Sequence, residues 1–262
     1  MGCRMEPSAA ATYREVMTVD PPVGLATADA AGLEQLYGEL WSSPVLTRRE
    51  RRLITIQCLA FAVSGEPILD HAYAALKSGD LTIDELLEVD LHFAVYCGWP
   101  KASNLEMYVR QAWARVQEEA GGEPQPLPMR PTEELGDNDW EARLRRGEQE
   151  FADVNLVPAP GRDSPYQHAG ILNFVFGHVW QRPGLNRRDR RFITVACVGV
   201  CEAPIPISAH VGSALKSGDI TKPEMDELIR HFAAYGGEAR AAALREAAAA
   251  TWAELEAAAG GS

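Results

Sequence analysis

The residues best suited to acid/base chemistry occur twice in this sequence, at the same relative positions. His71 precedes a Leu-Lys-Ser-Gly-Asp run at residues 76–80, and the run recurs at residues 215–219 after His210. Imidazole titrates near physiological pH, so histidine is well suited to moving protons. A lone histidine is more often a hydrogen-bonded core residue, and two copies share structural residues as readily as functional ones. The pattern makes both histidines candidates for proton transfer, with a structural role as the alternative.

Downstream of each histidine, a carboxylate, an imidazole and a phenol recur at four-residue spacing, which places side chains on one face of a helix. A carboxylate beside an imidazole fixes its tautomer and raises its basicity, as a general base requires. The structural alternative is an ordinary exposed pair that contributes only about 0.2–0.5 kcal/mol. The residues are Glu88, His92 and Tyr96 in the first copy and Glu227, His231 and Tyr235 in the second.

The four repeated histidines also allow a metal-binding interpretation. Duplicated folds usually bring equivalent faces together about a pseudo-twofold axis, where the four imidazoles would converge. Imidazole is the common ligand of zinc, iron, copper and nickel. No short motif such as HExxH accompanies them, so a metal-dependent oxygenase or hydrolase is the alternative to cofactor-free chemistry. This transition-metal site would consist of His71, His92, His210 and His231, with Lys77 and Lys216 close by.

Each copy also has four arginines in the first turns of a predicted helix, where positive charge opposes the helix dipole. Arg51 and Arg190 occupy equivalent positions and would suit an acidic substrate, because a guanidinium binds a carboxylate bidentately. A structural alternative is at least as good for Arg48, Arg49 and Arg52, namely that they are surface arginines paired with acidic residues.

The two copies define the organisation of the chain. Their register holds without a gap from residues 41 and 180 to residues 98 and 237. Apolar residues recur at helical spacing and no stretch shows the alternation of a sheet, which predicts an all-α fold. We divide the chain into a loosely held N-terminal arm (1–29), copy one (30–119), a Pro/Gly-rich linker (120–139) and copy two with a C-terminal helix (140–262).

The bulk composition restricts the partners. A formal net charge of -12 disfavours nucleic acids and anionic membrane surfaces, which attract basic proteins. No signal-peptide pattern is visible, and the strongest apolar run, residues 53–63, is too short to span a bilayer. We expect a cytoplasmic protein that acts on a small molecule. The five cysteines are odd in number and form no framework, so we expect reduced thiols.

Several short runs recur in both copies in the same order. Copy two contains Trp-Gln-Arg-Pro-Gly-Leu at residues 180–185, Ile-Thr at 193–194 and Gly-Asp-Ile-Thr at 218–221, and copy one matches in the same order from Trp41. These runs resemble the 4-carboxymuconolactone decarboxylase family. The resemblance implies two tandem carboxymuconolactone decarboxylase-like helical domains forming an intramolecular pseudo-dimer. Because this family usually assembles from several single-domain subunits, a further homo-oligomer of the pseudo-dimer stays open.

The resemblance further implies a cofactor-independent lyase that acts on a small cyclic substrate bearing a carboxylate or an enol, by decarboxylation, isomerisation or ring opening. His71 or His210 would transfer the proton, with the neighbouring glutamate orienting it. The implied catalytic residues are His71, His210, Glu88, Glu227, Tyr96 and Tyr235, and the implied substrate-binding residues are Arg51, Arg190, Trp41 and Trp180.

Two features depart from the family pattern. Lys-Ser-Gly replaces the usual Asn-Asn-Gly before the third helix, and His92 and His231 stand where simple decarboxylases often lack histidine. Related peroxidases of the alkylhydroperoxidase D-like superfamily use a Cys-x-x-Cys pair, whereas Cys197 and Cys201 are four residues apart. The longer spacing disfavours a thiol–disulfide mechanism. A peroxidase-like or non-catalytic ligand-binding pseudo-dimer is kept as a further alternative.

Overall fold

Helices form all the regular elements of the described chain, which confirms the all-α prediction. The computed structural model describes residues 5–260. The helices are α1 (Pro7–Met17), α2 (Thr27–Gln35), α3 (Arg48–Ala62), α4 (Glu66–Ser78), α5 (Ile83–Cys97), α6 (Trp99–Ala120), α7 (Trp140–Asn155), α8 (Arg187–Val200), α9 (Pro204–Ser217), α10 (Lys222–Gly236) and α11 (Glu238–Gly260). Wider π-helical turns occupy Leu36–Leu40 and Tyr166–Phe176, and short 3₁₀ turns occupy Thr132–Leu135 and Val179–Gln181.

Local capping signals decide where the central helices begin. The Thr47 hydroxyl accepts from the Glu50 amide, and the Glu50 carboxylate accepts from the Thr47 amide at 2.7 Å. Thr82 and Glu85 start α5 in the same way. Gly79 ends α4 with φ of 74°, a left-handed conformation that glycine adopts without a steric penalty. These local predictions are confirmed.

The two copies pack against each other through their central helices. Helix α3 lies against α8, while α10 packs on α3 and α5 packs on α8. One apolar core runs through both copies and includes Ile54, Phe93, Ile193 and Phe232. Each copy therefore places its third core helix, α5 or α10, on the arginine-bearing helix of the other copy.

The N-terminal arm, which was expected to be loosely held, contains a packed helix. Helix α1 contacts α4, and its Val16 and Met17 are buried. Val16 is the counterpart of Val154 in α7, since the carbonyl of the former accepts from Arg52 and that of the latter from Arg191. The repeat thus extends to α1 and α7. The short, alanine-rich sequence of α1 carries too weak a periodic signal to reveal this.

The outer arginines of α3 and α8 find acidic partners, as the structural alternative predicts. Arg48 pairs with Asp80 at 2.7 Å. Arg49 reaches across the copies to Asp189 at 3.0 Å. Arg52 departs from the prediction, because its side chain is fully buried rather than on the surface. Across residues 5–260, no helix is long and apolar enough to cross a membrane.

Candidate functional site

The repeated histidines lie in two separate pairs, and each pair takes one histidine from each copy. The Trp41 ring lies 6.0 Å from the ring of His71 and 5.0 Å from that of His231. The Trp180 ring lies 5.2 Å from that of His92 and 6.4 Å from that of His210. We call these arrangements the His71 site and the His210 site. The predicted convergence of all four imidazoles is wrong.

Each site is built from helices of both copies, which explains this pairing. Helix α9 supplies His210, whereas α5 of the other copy supplies His92 and Tyr96. In the His71 site, α4 supplies His71, and His231 comes from α10. The four-residue stripe does form along one helical face, but that face meets the other copy rather than the histidine of its own copy.

His92 is held by hydrogen bonds at both ring nitrogens. Its Nδ1 lies 3.2 Å from Nη1 of Arg190 and its Nε2 lies 2.8 Å from Oγ1 of Thr194. A guanidinium only donates, so Nδ1 accepts and the proton resides on Nε2. Burial, and then the charge of Arg190, hold the pKa of His92 well below its usual range. His92 therefore positions its neighbours and does not carry protons.

His231 repeats this arrangement in the His71 site. Its Nδ1 lies 3.2 Å from Nη1 of Arg51, and its Nε2 lies 2.8 Å from Oγ1 of Thr55. Burial and Arg51 likewise hold the pKa of His231 well below its usual range. The structural interpretation thus describes His92 and His231 better than a catalytic one.

The Tyr96 hydroxyl accepts one hydrogen bond within the site. Trp180 donates its indole N–H to this oxygen at 2.9 Å. The Thr194 hydroxyl, which accepts from His92, lies beside the same oxygen. Within residues 5–260 the Tyr96 hydroxyl finds no acceptor. The phenol is therefore oriented to donate a hydrogen bond to a bound molecule.

The corresponding phenol, Tyr235, accepts from the indole N–H of Trp41 at 2.8 Å and lies beside the Thr55 hydroxyl. Burial raises the pKa of Tyr235 to about 12, so it stays a neutral donor at physiological pH. Trp41 and Trp180, predicted to bind substrate, each orient a phenol and pack against a histidine pair.

His71 and His210 are both neutral bases in this environment, but their partners differ. Burial, followed by the charge of Arg52 or Arg191, lowers the pKa of each histidine to about 3. Nδ1 of His71 accepts from Nη1 of Arg52 at 3.2 Å. Neither ring nitrogen of His210 has a hydrogen-bond partner in the described part of the chain, and its Nδ1 is fully buried.

Ser213 accounts for this difference. The Ser213 hydroxyl accepts a hydrogen bond from Nη1 of Arg191 at 2.8 Å, so this nitrogen does not donate to His210. The equivalent residue of copy one is Ala74, which offers no hydroxyl. His210 is consequently the histidine whose ring is available to a ligand.

Neither Glu88 nor Glu227 orients a histidine, which corrects the predicted role of both carboxylates. Glu88 accepts from Nε and Nη2 of Arg182 at 2.8 and 2.7 Å. Glu227 accepts from Nη2 of Arg51 at 2.8 Å. A guanidinium is a stronger partner for a carboxylate than a neutral imidazole is. The glutamates hold arginines, and Arg51 in turn holds His231.

The predicted anion anchors also need correction. The side chain of Arg51 is fully buried, and that of Arg190 is 1% exposed. Nη2 of Arg51 donates to the Ser43 carbonyl at 2.8 Å, and that of Arg190 donates to the Arg182 carbonyl at 2.6 Å. Burial lowers the pKa of Arg190 to about 10. Both guanidinium groups are therefore buried supports of the site and are not exposed to bind an anionic substrate.

The side chains of the predicted metal site do not fit a cation. Of its four imidazoles, three face a guanidinium through Nδ1 at 3.2 Å, and positive charge disfavours a metal there. The lysines lie elsewhere, Lys77 on Glu119 and Lys216 on Glu254. Among the residues that the structure describes, no group of three or more His, Cys, Asp or Glu side chains has a metal-binding arrangement.

A cavity of about 470 Å³ borders the His210 site. His210 and Tyr96 form part of its wall, together with aromatic and aliphatic side chains such as Phe151 and Phe176. Among the described residues, no Asp, Glu, Lys or Arg lines this cavity. This volume is within the range of small-molecule sites.

Sequence reasoning missed several residues of the site. Thr55 and Thr194 occur at equivalent positions, so the repeat itself contained the signal for both. Cys97 and Cys201 had no such signal, yet their sulfurs lie 3.7 Å apart across the copies. A hydrogen bond with Cys197, and then burial, raises the pKa of the Cys97 thiol, whereas the contact with Cys97, and then burial, raises the pKa of the Cys201 thiol. Both shifts disfavour thiolate chemistry. Both are free thiols.

Comparison with known proteins agrees with the fold and the duplication. The model of the carboxymuconolactone decarboxylase family matches residues 30–110 and 167–250, which together exceed half of the chain. The chain therefore belongs to the carboxymuconolactone decarboxylase family.

Two curated relatives match shorter stretches. A 4-carboxymuconolactone decarboxylase of Acinetobacter baylyi is 36% identical over 67 residues, covering 26% of this chain and 49% of the relative. A nitrosuccinic acid decarboxylase of Metarhizium robertsii is 32% identical over 77 residues, covering 28% of this chain and 53% of the relative. The chain thus spans about half the length of the curated relatives it matches.

Proposed function

We propose that this protein is a cofactor-independent, decarboxylase-like enzyme that uses histidine acid/base chemistry on a small cyclic substrate bearing a carboxylate or an enol. Family membership and the names of two relatives support the decarboxylase-like part. The observation that carries the mechanism is the pairing of His210 with Tyr96. A neutral imidazole and a phenol with a free hydrogen meet there at the wall of a cavity.

The two groups suit the two needs of such a reaction. Neutral His210 takes the proton of the substrate's carboxylic acid group, and the carbon–carbon bond to the resulting carboxylate then breaks. Its electron pair moves into an enolate, carbon dioxide leaves, and the imidazolium returns the proton to carbon. The Tyr96 hydroxyl donates to the oxygen on which negative charge develops. Isomerisation uses the same proton transfers without losing carbon dioxide.

The remaining residues of the site act through these two. Arg190 fixes the tautomer of His92, whose Nε2–H then donates to the Thr194 hydroxyl beside Tyr96. These hydrogen bonds hold the side chains behind the phenol in place. Arg190, His92 and Thr194 are therefore positioning residues.

Turnover of small cyclic β-keto acids and ketones tests the proposal. We would measure carbon dioxide release from 2-oxocyclohexane-1-carboxylate above the spontaneous rate, and deuterium uptake from D₂O at the α-carbons of cyclohexanone by NMR. A His71→Gln/His210→Gln double variant should reduce both signals to background. Unchanged rates in a folded double variant would contradict histidine catalysis. No turnover across a broad panel would favour the non-catalytic ligand-binding alternative.

A further inference from the structure

The walls of the two sites differ at matched positions, although the hydrogen-bonded frameworks behind them are alike. Phe151 and Phe176 line the His210 cavity with ring centroids 5.0 Å apart. Tyr13 and Tyr37 make the equivalent ring contact at 4.6 Å in the His71 site. Copy one thus carries two phenol oxygens where copy two has only hydrocarbon.

Charge separates the two sites further. Ala209 and Ile205 line the His210 cavity. One repeat earlier, Asp70 and Glu66 occupy their positions. Burial, and then the charge of Asp70, raise the pKa of Tyr13. The Asp70 carboxylate therefore lies near the aromatic wall of the His71 site. An apolar molecule is therefore favoured at the His210 site. It is disfavoured at the His71 site, because it would displace water from the phenol and carboxylate groups there.

The unpaired groups of the His210 site define the polar part of the ligand. The ring nitrogens of His210 have no partner among the described residues, and a neutral imidazole has one acceptor nitrogen. The Tyr96 hydroxyl accepts from Trp180 and donates to no residue within 5–260, so it offers a hydrogen to a ligand. A hydroxyl group satisfies both, since it donates to His210 and accepts from Tyr96. A carboxylate would lose its hydration in this cavity and would find no Lys or Arg among the described lining residues.

We propose that the His210 cavity is the working substrate site of this chain, and that it takes one small, mainly apolar molecule bearing a hydroxyl or enol. The His71 site does not take this molecule. The inference rests on the proposed function and narrows it to neutral substrates that bear a hydroxyl or enol, and therefore to proton transfer without loss of carbon dioxide.

Binding of two probes that share one ring system tests the ligand class without requiring turnover. The probe 2-naphthol is neutral at pH 7 and carries a hydroxyl, whereas 2-naphthoate is an anion of similar size. Calorimetric titration should show one 2-naphthol per chain and an affinity for 2-naphthoate that is on the order of tenfold weaker. Equal or tighter binding of 2-naphthoate would overturn the proposed ligand class.

Exchanging matched residues between the copies tests the location. Ala209→Asp and Phe176→Tyr give the His210 cavity the residues of copy one and should each weaken 2-naphthol binding on the order of tenfold. Asp70→Ala and Tyr37→Phe make the reverse changes and should leave the affinity unchanged. Ala209 is solvent-exposed on α9, so its variant is expected to fold, and circular dichroism verifies this.

The phenols provide a second matched pair. Tyr96→Phe should weaken 2-naphthol binding about five- to tenfold, because it removes one hydrogen bond, while Tyr235→Phe should not. Two equivalent 2-naphthol sites per chain, or sensitivity to Asp70→Ala with none to Ala209→Asp, would overturn the assignment to the His210 cavity. Single-site 2-naphthol binding without turnover of any substrate would contradict the proposed function and leave the ligand site standing.

Discussion

His210 of the second copy meets Tyr96 of the first copy edge to face, with ring centroids 5.5 Å apart and ring planes at 81°. His71 and Tyr235 repeat the contact at 5.8 Å and 88°. Because the two rings always come from different copies, neither copy builds a site alone. In a symmetric dimer of one domain both sites would be identical by construction. Joining the copies in one chain allows their walls to diverge.

The two histidines should contribute unequally to catalysis. We expect His210→Gln to lower kcat on the order of 10²–10⁴-fold, the usual contribution of a general base. His71→Gln should retain most of the activity, because its site differs from the His210 cavity in charge and polarity. The deuterium-uptake assay checks both variants. Equal losses in the two single variants would show that both sites work.

The pH dependence of activity should lack the usual histidine limb. Burial lowers the pKa of His210 from 6.5 to about 3, so the active neutral form persists far below neutral pH. For a substrate that does not titrate, kcat/KM should stay level from about pH 8 to about pH 5 and fall only as the pH approaches the lowered pKa. A limb near pH 6.5 would argue that another group is the base.

The same shift links protonation to stability. The unfolded chain protonates His71 below its ordinary pKa of 6.5, whereas the folded chain keeps it neutral down to about pH 3. The stabilisation is therefore complete above pH 6.5 and is lost as the pH falls toward 3. His71→Gln should reduce the slope of the unfolding free energy by up to about 1.4 kcal/mol per pH unit in that window. Urea titrations at pH 4, 5, 6 and 8 measure it, and an unchanged slope would contradict burial of the neutral imidazole.

Asp90 should destabilise the fold at alkaline pH. Its Oδ1 is buried and has no hydrogen-bond partner within residues 5–260, and burial followed by the charge of Glu106 raises the pKa of Asp90 from 3.8 to about 8. Between these values the unfolded chain releases a proton that the folded chain retains, so stability falls as the pH rises. Asp90→Asn should stabilise the protein by about 1–2 kcal/mol at pH 8 and hardly at all at pH 4. A stability gain of equal size at both values would point to a cause other than ionisation.

The buried pair of Glu227 and Arg51 should be sensitive to loss of one partner. Their atoms are 2.8 Å apart, with side-chain exposures of 7% and 0%. Glu227→Gln leaves a buried guanidinium without its counter-charge and should cost about 2–4 kcal/mol of unfolding free energy. The exposed pair of Glu238 and Arg245 supplies the control, since Glu238→Gln should change little. Comparable losses in both variants would contradict the importance of burial.

Much of the fold was predictable because its signals are local. The capping boxes at Thr47 and Thr82 and the glycine stop at Gly79 involve residues within a few positions of one another. The packing of helix α1 escaped prediction because it depends on contacts with α4, which lies far along the chain. The candidate side chains were found by duplication, but several of their assigned roles were not correct.

By itself, the sequence determined that the chain is duplicated, that it is helical, and that Glu88, His92 and Tyr96 share one helical face. Such spacing decides which face a side chain occupies, but not what that face meets. The tertiary structure decided that this face crosses to the other copy, because α5 packs on α8. It thereby set Glu88 on Arg182 and Tyr96 on His210, pairings that depend on long-range packing rather than on neighbouring residues.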